Sequence, residues 1–97
     1  IICEDGSHFA SHQMESFINL WPRVKPGGYY ICEDLHVVHS AQHSDSHINF
    51  IQFMAKIAME MQDPAGDKGC AAYNPNHPHS DIDSITLRKG LAIIRKR

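Results

Sequence analysis

The sequence predicts an α/β fold, the back half of a larger α/β domain with a parallel strand pair and a closing antiparallel hairpin. Three observations predict it. Two short apolar runs, Ile1-Ile2-Cys3 and Tyr29-Tyr30-Ile31-Cys32, each end abruptly in carboxylates, Glu4-Asp5 and Glu33-Asp34. Such a run reads as a buried parallel strand whose carboxyl end opens into a site. A helical stretch and a strong turn separate the two runs, which makes a βαβ unit with parallel strands. Near the end, Ile82 to Leu87 and Leu91 to Ile94 flank Arg88-Lys89-Gly90, the pattern of a hairpin with the glycine such turns favour.

Taken in order, residues 1–4 form a short strand and Asp5-Gly6-Ser7 a turn. From about Phe9 to Trp21 the period becomes helical. Met14, Phe17, Ile18 and Trp21 make an apolar stripe, with Gln13, Glu15, Ser16 and Asn19 facing away. Pro22 ends or kinks that helix. Lys25-Pro26-Gly27-Gly28 is a turn, and Tyr29 to Cys32 is aromatic and β-branched, hence a strand in which the tyrosines alternate faces. Leu35 to Ser44 reads as a loop carrying histidines. Asp45 or Ser46 caps a second helix that runs to about Met61 and buries Phe50, Ile51, Met54, Ile57, Ala58 and Met61. Residues 63–81, rich in proline, glycine and asparagine, form a long irregular connection, a length usually reserved for functional loops.

The 97 residues make one small domain, expected to bury roughly 60–65% of its unfolded surface. Because Ile1 already reads as strand, and parallel strands need a crossover from elsewhere, residues 1–97 are expected to be part of a larger α/β domain. An open edge on that first strand would favour association into a homo-oligomer. A net charge of −2 supplies no basic surface for nucleic acid or an anionic membrane, and no apolar stretch approaches a membrane span. Three cysteines without metal-type spacing, two of them in strands, predict buried reduced thiols and a cytoplasmic protein.

The chemistry gathers where the strands end. If the two strands are neighbours, Asp5, His8 and Asp34 converge on one spot. Two hard oxygen donors beside an imidazole suit a divalent cation with a base next to it. Each residue also has a plainer use: Asp5 can stabilise its turn or the helix that follows, and His8 can be a surface histidine. Glu33 better suits a structural role. His36, His39, His43 and His47 fit no compact zinc ligand set and read as solvated histidines of a loop that covers the substrate, with His36 the one placed to touch it. The basic residues Arg88, Lys89 and 95–97 read as a solvated edge.

Asp5-Gly6-Ser7-His8, His12-Gln13, Phe17, Leu20-Trp21-Pro22, Lys25-Pro26-Gly27-Gly28-Tyr29-Tyr30 and Glu33-Asp34-Leu35-His36 together resemble the carboxyl-terminal half of a class I S-adenosylmethionine-dependent methyltransferase. The nearest subgroup is the macrocin/mycinamicin-type sugar O-methyltransferases, with the cephalosporin-hydroxylase-like proteins related to them. The match is dense over residues 1–36 and weaker beyond. One position departs: the family usually carries aspartate where this chain has Glu4.

The resemblance implies the C-terminal half of a doubly wound, Rossmann-like sheet, of which this chain supplies the fourth strand onward. It implies Mg²⁺ or a similar divalent ion on Asp5 and Asp34, a third carboxylate from the amino-terminal half, and His8 as general base. That other half would hold most of the S-adenosylmethionine site, and no Gly-x-Gly occurs in this chain. The implied reaction is metal-dependent methyl transfer to a hydroxyl of a small molecule, a sugar on a natural product being the case suggested. Two other functions stay open: a non-catalytic module holding a divalent ion through carboxylates and histidines, and a nucleotide-dependent oxidoreductase half. The last leaves the Asp5–Asp34 pairing without a purpose.

Overall fold

The structure is a computed structural model that describes residues 1–4, 6, 9–36, 41–43, 45–46, 48–62, 79 and 81–97. Among these, four strands form one sheet: β1 (Ile2–Glu4), β2 (Tyr29–Cys32), β3 (Ile82–Arg88) and β4 (Leu91–Lys96), in the order β1-β2-β4-β3. The two helices are α1 (Ala10–Leu20) and α2 (Phe50–Met61). β1 and β2 are parallel, and α1 is the crossover that parallel strands require. β4 runs antiparallel to both β2 and β3. The expected α/β class, the neighbouring parallel strands and the closing hairpin are therefore all present.

Local chemistry explains the joints. After α1 a 3₁₀ turn, Trp21–Arg23, carries Pro22 in its opening positions, where a missing N–H costs nothing. The chain then reverses at Lys25-Pro26-Gly27-Gly28. Gly28 N donates to Lys25 O at 2.8 Å, and Gly27 has φ +80°, so proline and glycine occupy the two central positions of a type II turn. Gly27 N donates to Lys96 O and Lys96 N to Gly28 O, which ties this turn to the end of β4.

The core lies between the sheet and the helices. Phe17 stacks on Trp21 and meets Tyr30, Phe50 and Phe53 edge-on. Tyr30, Cys32, Phe50, Met54, Ala92 and Ile94 are completely buried. Tyr30 faces inward and Tyr29 outward, as strand alternation predicts. Trp21 is held at its polar end as well: Nε1–H donates to Asp81 Oδ2 at 2.9 Å, and Lys96 Nζ lies 5.1 Å from the ring centroid. No helix among the described residues is long and apolar enough to cross a membrane.

Three expectations fail. The buried face of α1 is Ala10, Gln13 and Phe17, continued by Trp21, so Gln13 is inside and Ile18 is 60% exposed. The helix is rotated relative to its apolar stripe because Phe17 docks between sheet and α2, and that contact sets the azimuth. The Gln13 amide finds no hydrogen-bond partner among the described residues, a cost of about 1–3 kcal/mol that the packing offsets. Second, α2 is capped by Asn49, in a capping box with Gln52, and not by Asp45 or Ser46. Third, Cys3 is exposed on the short edge strand, while Cys32 is buried as expected. Most of the 63–81 connection lies outside the described residues.

Candidate functional site

The carboxyl ends of β1 and β2 are level. Ile2 pairs with Tyr30, Cys3 with Ile31 and Glu4 with Cys32. One further bond, Glu33 N to Glu4 O at 3.1 Å, extends the ladder past the last strand residue. Glu4, the last residue of β1, and Glu33-Asp34, just past β2, therefore lie at the same edge of the sheet. That edge is where ligands bind in open α/β sheets.

Asp34 stands two residues beyond β2, half-buried, with φ 57°. This left-handed conformation is rare outside glycine, asparagine and aspartate, and in functional sites it marks backbone held in place by its surroundings. Immediately after it Leu35 is buried, and its N–H donates to Gly90 O at 3.1 Å, pinning the segment to the β3–β4 turn. His36 is exposed beyond that anchor. Asp5 and His8 lie outside the described residues, as do His39 and His47. Among the described residues no three His, Cys, Asp or Glu side chains gather closely enough to hold a metal ion.

Glu4 is half-buried and engaged on both oxygens. Oε1 accepts from Gly6 N at 2.8 Å, and Oε2 accepts from Cys32 Sγ at 3.8 Å. Burial, together with the Glu4 charge, pushes the Cys32 thiol well above its ordinary range, so it stays protonated and donates. Glu4, Glu33 and Asp34 are the described carboxylates at this edge. A cleft of about 440 Å³ opens beside Glu4 and Gly6, lined also by His12, Glu15, Ser16, Asn19 and Leu20 of α1.

A second carboxylate acts where sequence reasoning had not placed it. Asp45 reaches the amino end of α1, where Oδ1 accepts from Ser11 N at 2.9 Å and Oδ2 accepts from Ser11 Oγ. Phe9, the N-cap position, has no side-chain cap bond, so Asp45 satisfies an otherwise orphaned helix donor from 34 residues away. Those bonds hold its carboxyl below the usual carboxylate range. The signal available in the sequence, an aspartate shortly before a helix, pointed to the wrong helix. For Glu4 the available signal was its departure from the usual aspartate, and two acceptor bonds now give that departure a structural role.

No protein-family model matches the chain. Over 35 residues, 36% of its length, it is 49% identical to the 8-demethyl-8-alpha-L-rhamnosyl tetracenomycin-C 2'-O-methyltransferase of Streptomyces olivaceus. Over the same length it is 49% identical to the mycinamicin VI 2''-O-methyltransferase of Micromonospora griseorubida and 51% identical to the demethylmacrocin O-methyltransferase of Streptomyces fradiae. The matched stretch is 9% of each relative. Among solved structures, the MycE methyltransferase from the mycinamycin biosynthetic pathway, in complex with Mg and SAH, superposes with a TM-score of 0.76 at 20% identity. That superposition covers 97% of this chain and 26% of MycE. A complex that also contains mycinamycin VI matches at 0.75. The resemblance to macrocin/mycinamicin-type sugar O-methyltransferases is thus present in sequence over about a third of the chain, and in fold over nearly all of it.

Proposed function

We propose that this chain forms the metal- and acceptor-binding part of an S-adenosylmethionine-dependent O-methyltransferase whose acceptor is a hydroxyl of a small molecule, a sugar on a natural product. The observation that carries this reading is the level parallel pairing of β1 and β2, which brings Asp34 to the same sheet edge as the end of β1. Identity of 49–51% to named sugar O-methyltransferases supports it, as does the fold shared with a methyltransferase solved with Mg and SAH.

Methyl transfer from a sulfonium needs a hydroxyl oxygen in line with the methyl carbon, and an ordinary sugar hydroxyl is too weak an acid to react unaided. Asp5 and Asp34 are hard oxygen donors that would hold Mg²⁺ or a similar ion, with other positions left to water and acceptor. Such an ion would supply Lewis-acid chemistry, lowering the pKa of the acceptor hydroxyl that reacts. His8 takes the hydroxyl proton on a ring nitrogen. His36, exposed just past the Leu35 anchor, contacts the acceptor. The bond from Leu35 N to Gly90 O, one residue past Asp34, would hold that backbone in place before any ligand arrives.

The test uses the full-length protein with S-adenosylmethionine and a panel of glycosylated acceptors. Methylation should require Mg²⁺ and vanish with Asp5→Asn or Asp34→Asn. His8→Ala should cost about 10²–10⁴ in rate. Full activity in excess chelator would overturn the metal assignments, and loss under tenfold in His8→Ala would overturn the base.

A further inference from the structure

β3 is the outer strand of the sheet on the side away from β1, and among the described residues no strand pairs with its other edge. It is also the longest strand, seven residues against three in β1. A bulge falls at its start, between Ile82 and Ser84, and leaves Ser84-Ile85-Thr86-Leu87-Arg88 in regular register with β4. Exposed edges are ordinarily guarded by proline, by charge or by a bulge, because their unpaired N–H and C=O groups invite another strand. These five residues contain no proline and no charge before Arg88. The two-residue turn Lys89-Gly90 joins Arg88 to Leu91, so the two residues of that closing pair exchange hydrogen bonds. By alternation Ser84 and Thr86 also bond to β4, whereas Ile85 and Leu87 turn their N–H and C=O to the free side.

The side chains fit a second strand as well. Leu87 lies opposite Ala92, on the helix side of the sheet, yet is 48% exposed. Ile85, on the same side, packs against the core. Charge is divided along the strand: Asp83 stands near its start, Arg88 and Lys89 at its end, all three exposed. A strand acidic at one end and basic at the other complements itself when a second copy runs antiparallel to it.

We propose that β3 is a homodimer interface: two copies pair β3 antiparallel about Thr86, joining their four-stranded sheets into one continuous sheet. In this register the outward backbone groups and the charges are both matched. Ile85 and Leu87 of one copy bond to Leu87 and Ile85 of the other, so each exposed leucine lands beside an isoleucine. Thr86 faces Thr86, Ser84 faces Arg88, and Asp83 reaches the Lys89 of the second copy. The two-fold relation closes the contact on itself, which ends assembly at a dimer. Five residues from each copy cover less than the roughly 800 Å² per partner of a standard interface, so the association is micromolar or weaker.

The experiment is sedimentation velocity of the full-length protein over micromolar concentrations, with cysteine cross-linking to fix the register. Wild type should pass from monomer to dimer as concentration rises, and added salt should weaken the dimer. Leu87→Lys should raise the dimer Kd about tenfold or more. Lys89→Glu, which sets like charges together at both ends, should raise it by about three- to tenfold. Lys89 lies in an exposed turn, so this variant still tests the interface if Leu87→Lys does not fold. Thr86 is its own partner in a non-hydrogen-bonded pair, where Cα atoms are about 4.5 Å apart, within reach of a disulfide. Thr86→Cys should therefore cross-link to a dimer on oxidation with copper–phenanthroline, whereas Ser84→Cys, like wild type, should not. A protein that stays monomeric at every concentration would overturn the proposal. So would a dimer that neither charge variant weakens, or one that Ser84→Cys traps as readily as Thr86→Cys.

Discussion

Replacing Asp34 in turn by alanine and by glycine separates its backbone from its side chain. Both variants delete the carboxylate and every contact it makes, so their difference in stability reports the backbone: φ 57° in the folded state and chain freedom in the unfolded one. An L-residue with a Cβ pays about 1–2 kcal/mol in the left-handed region, a penalty glycine escapes. Against this, glycine's freer unfolded chain costs about 0.4–1 kcal/mol relative to alanine. The balance makes Asp34→Gly more stable than Asp34→Ala by about 0.5–1 kcal/mol. Urea denaturation of the two variants, at equal m-values, gives the number directly. On the function proposed above, both should lose methyl transfer alike, because neither carries the carboxylate. An alanine variant as stable as the glycine variant, or more so, would refute the argument that this backbone is strained.

Three further outcomes are expected. Asn49→Ala removes the side-chain arm of the α2 capping box, the bond from Gln52 N to Asn49 Oδ1, and should destabilise by about 1 kcal/mol, read as a lower urea midpoint; an unchanged midpoint would count against the box. Trp21→Phe keeps the ring in the core but loses the bond to Asp81 and weakens the Lys96 contact, so about 1–2 kcal/mol should go, and a neutral result would show that water replaces both partners. The Asp45 clasp carries a pH signature. Its carboxyl is lowered in the folded state by Ser11, so its contribution is complete above the ordinary carboxylate pKa of about 3.9 and disappears as pH falls through the lower folded value. Asp45→Asn should flatten that acid limb of the stability profile, whereas an acid limb identical to wild type would remove the clasp from the account.

Much of the site was legible because it depends on periods and punctuation. Apolar runs ending in carboxylates identified the two strands, and Lys25 to Gly28 carried the chemistry of its own turn. The Lys89-Gly90 turn likewise announced the hairpin. The site residues were legible only as types: Asp34 is where the reading put it, past the end of β2, while its left-handed backbone has no sequence signature beyond being an aspartate. The failures share a cause. Gln13 lies inside and Ile18 outside because a helix azimuth is chosen by the whole contact surface, and the aromatic cluster around Phe17 outweighs one isoleucine.

The sequence by itself determined the element types, the parallel pairing expected of a βαβ unit, and the chemical character of the sheet edge, since hydrophobic period, proline and glycine act over a few neighbouring residues. Only the tertiary structure decided that Asp45 closes the start of α1 from 34 residues away, and that Glu4 meets Cys32 on the neighbouring strand. A hydrogen bond across that span depends on where packing brings two backbones together. No local preference encodes that distance.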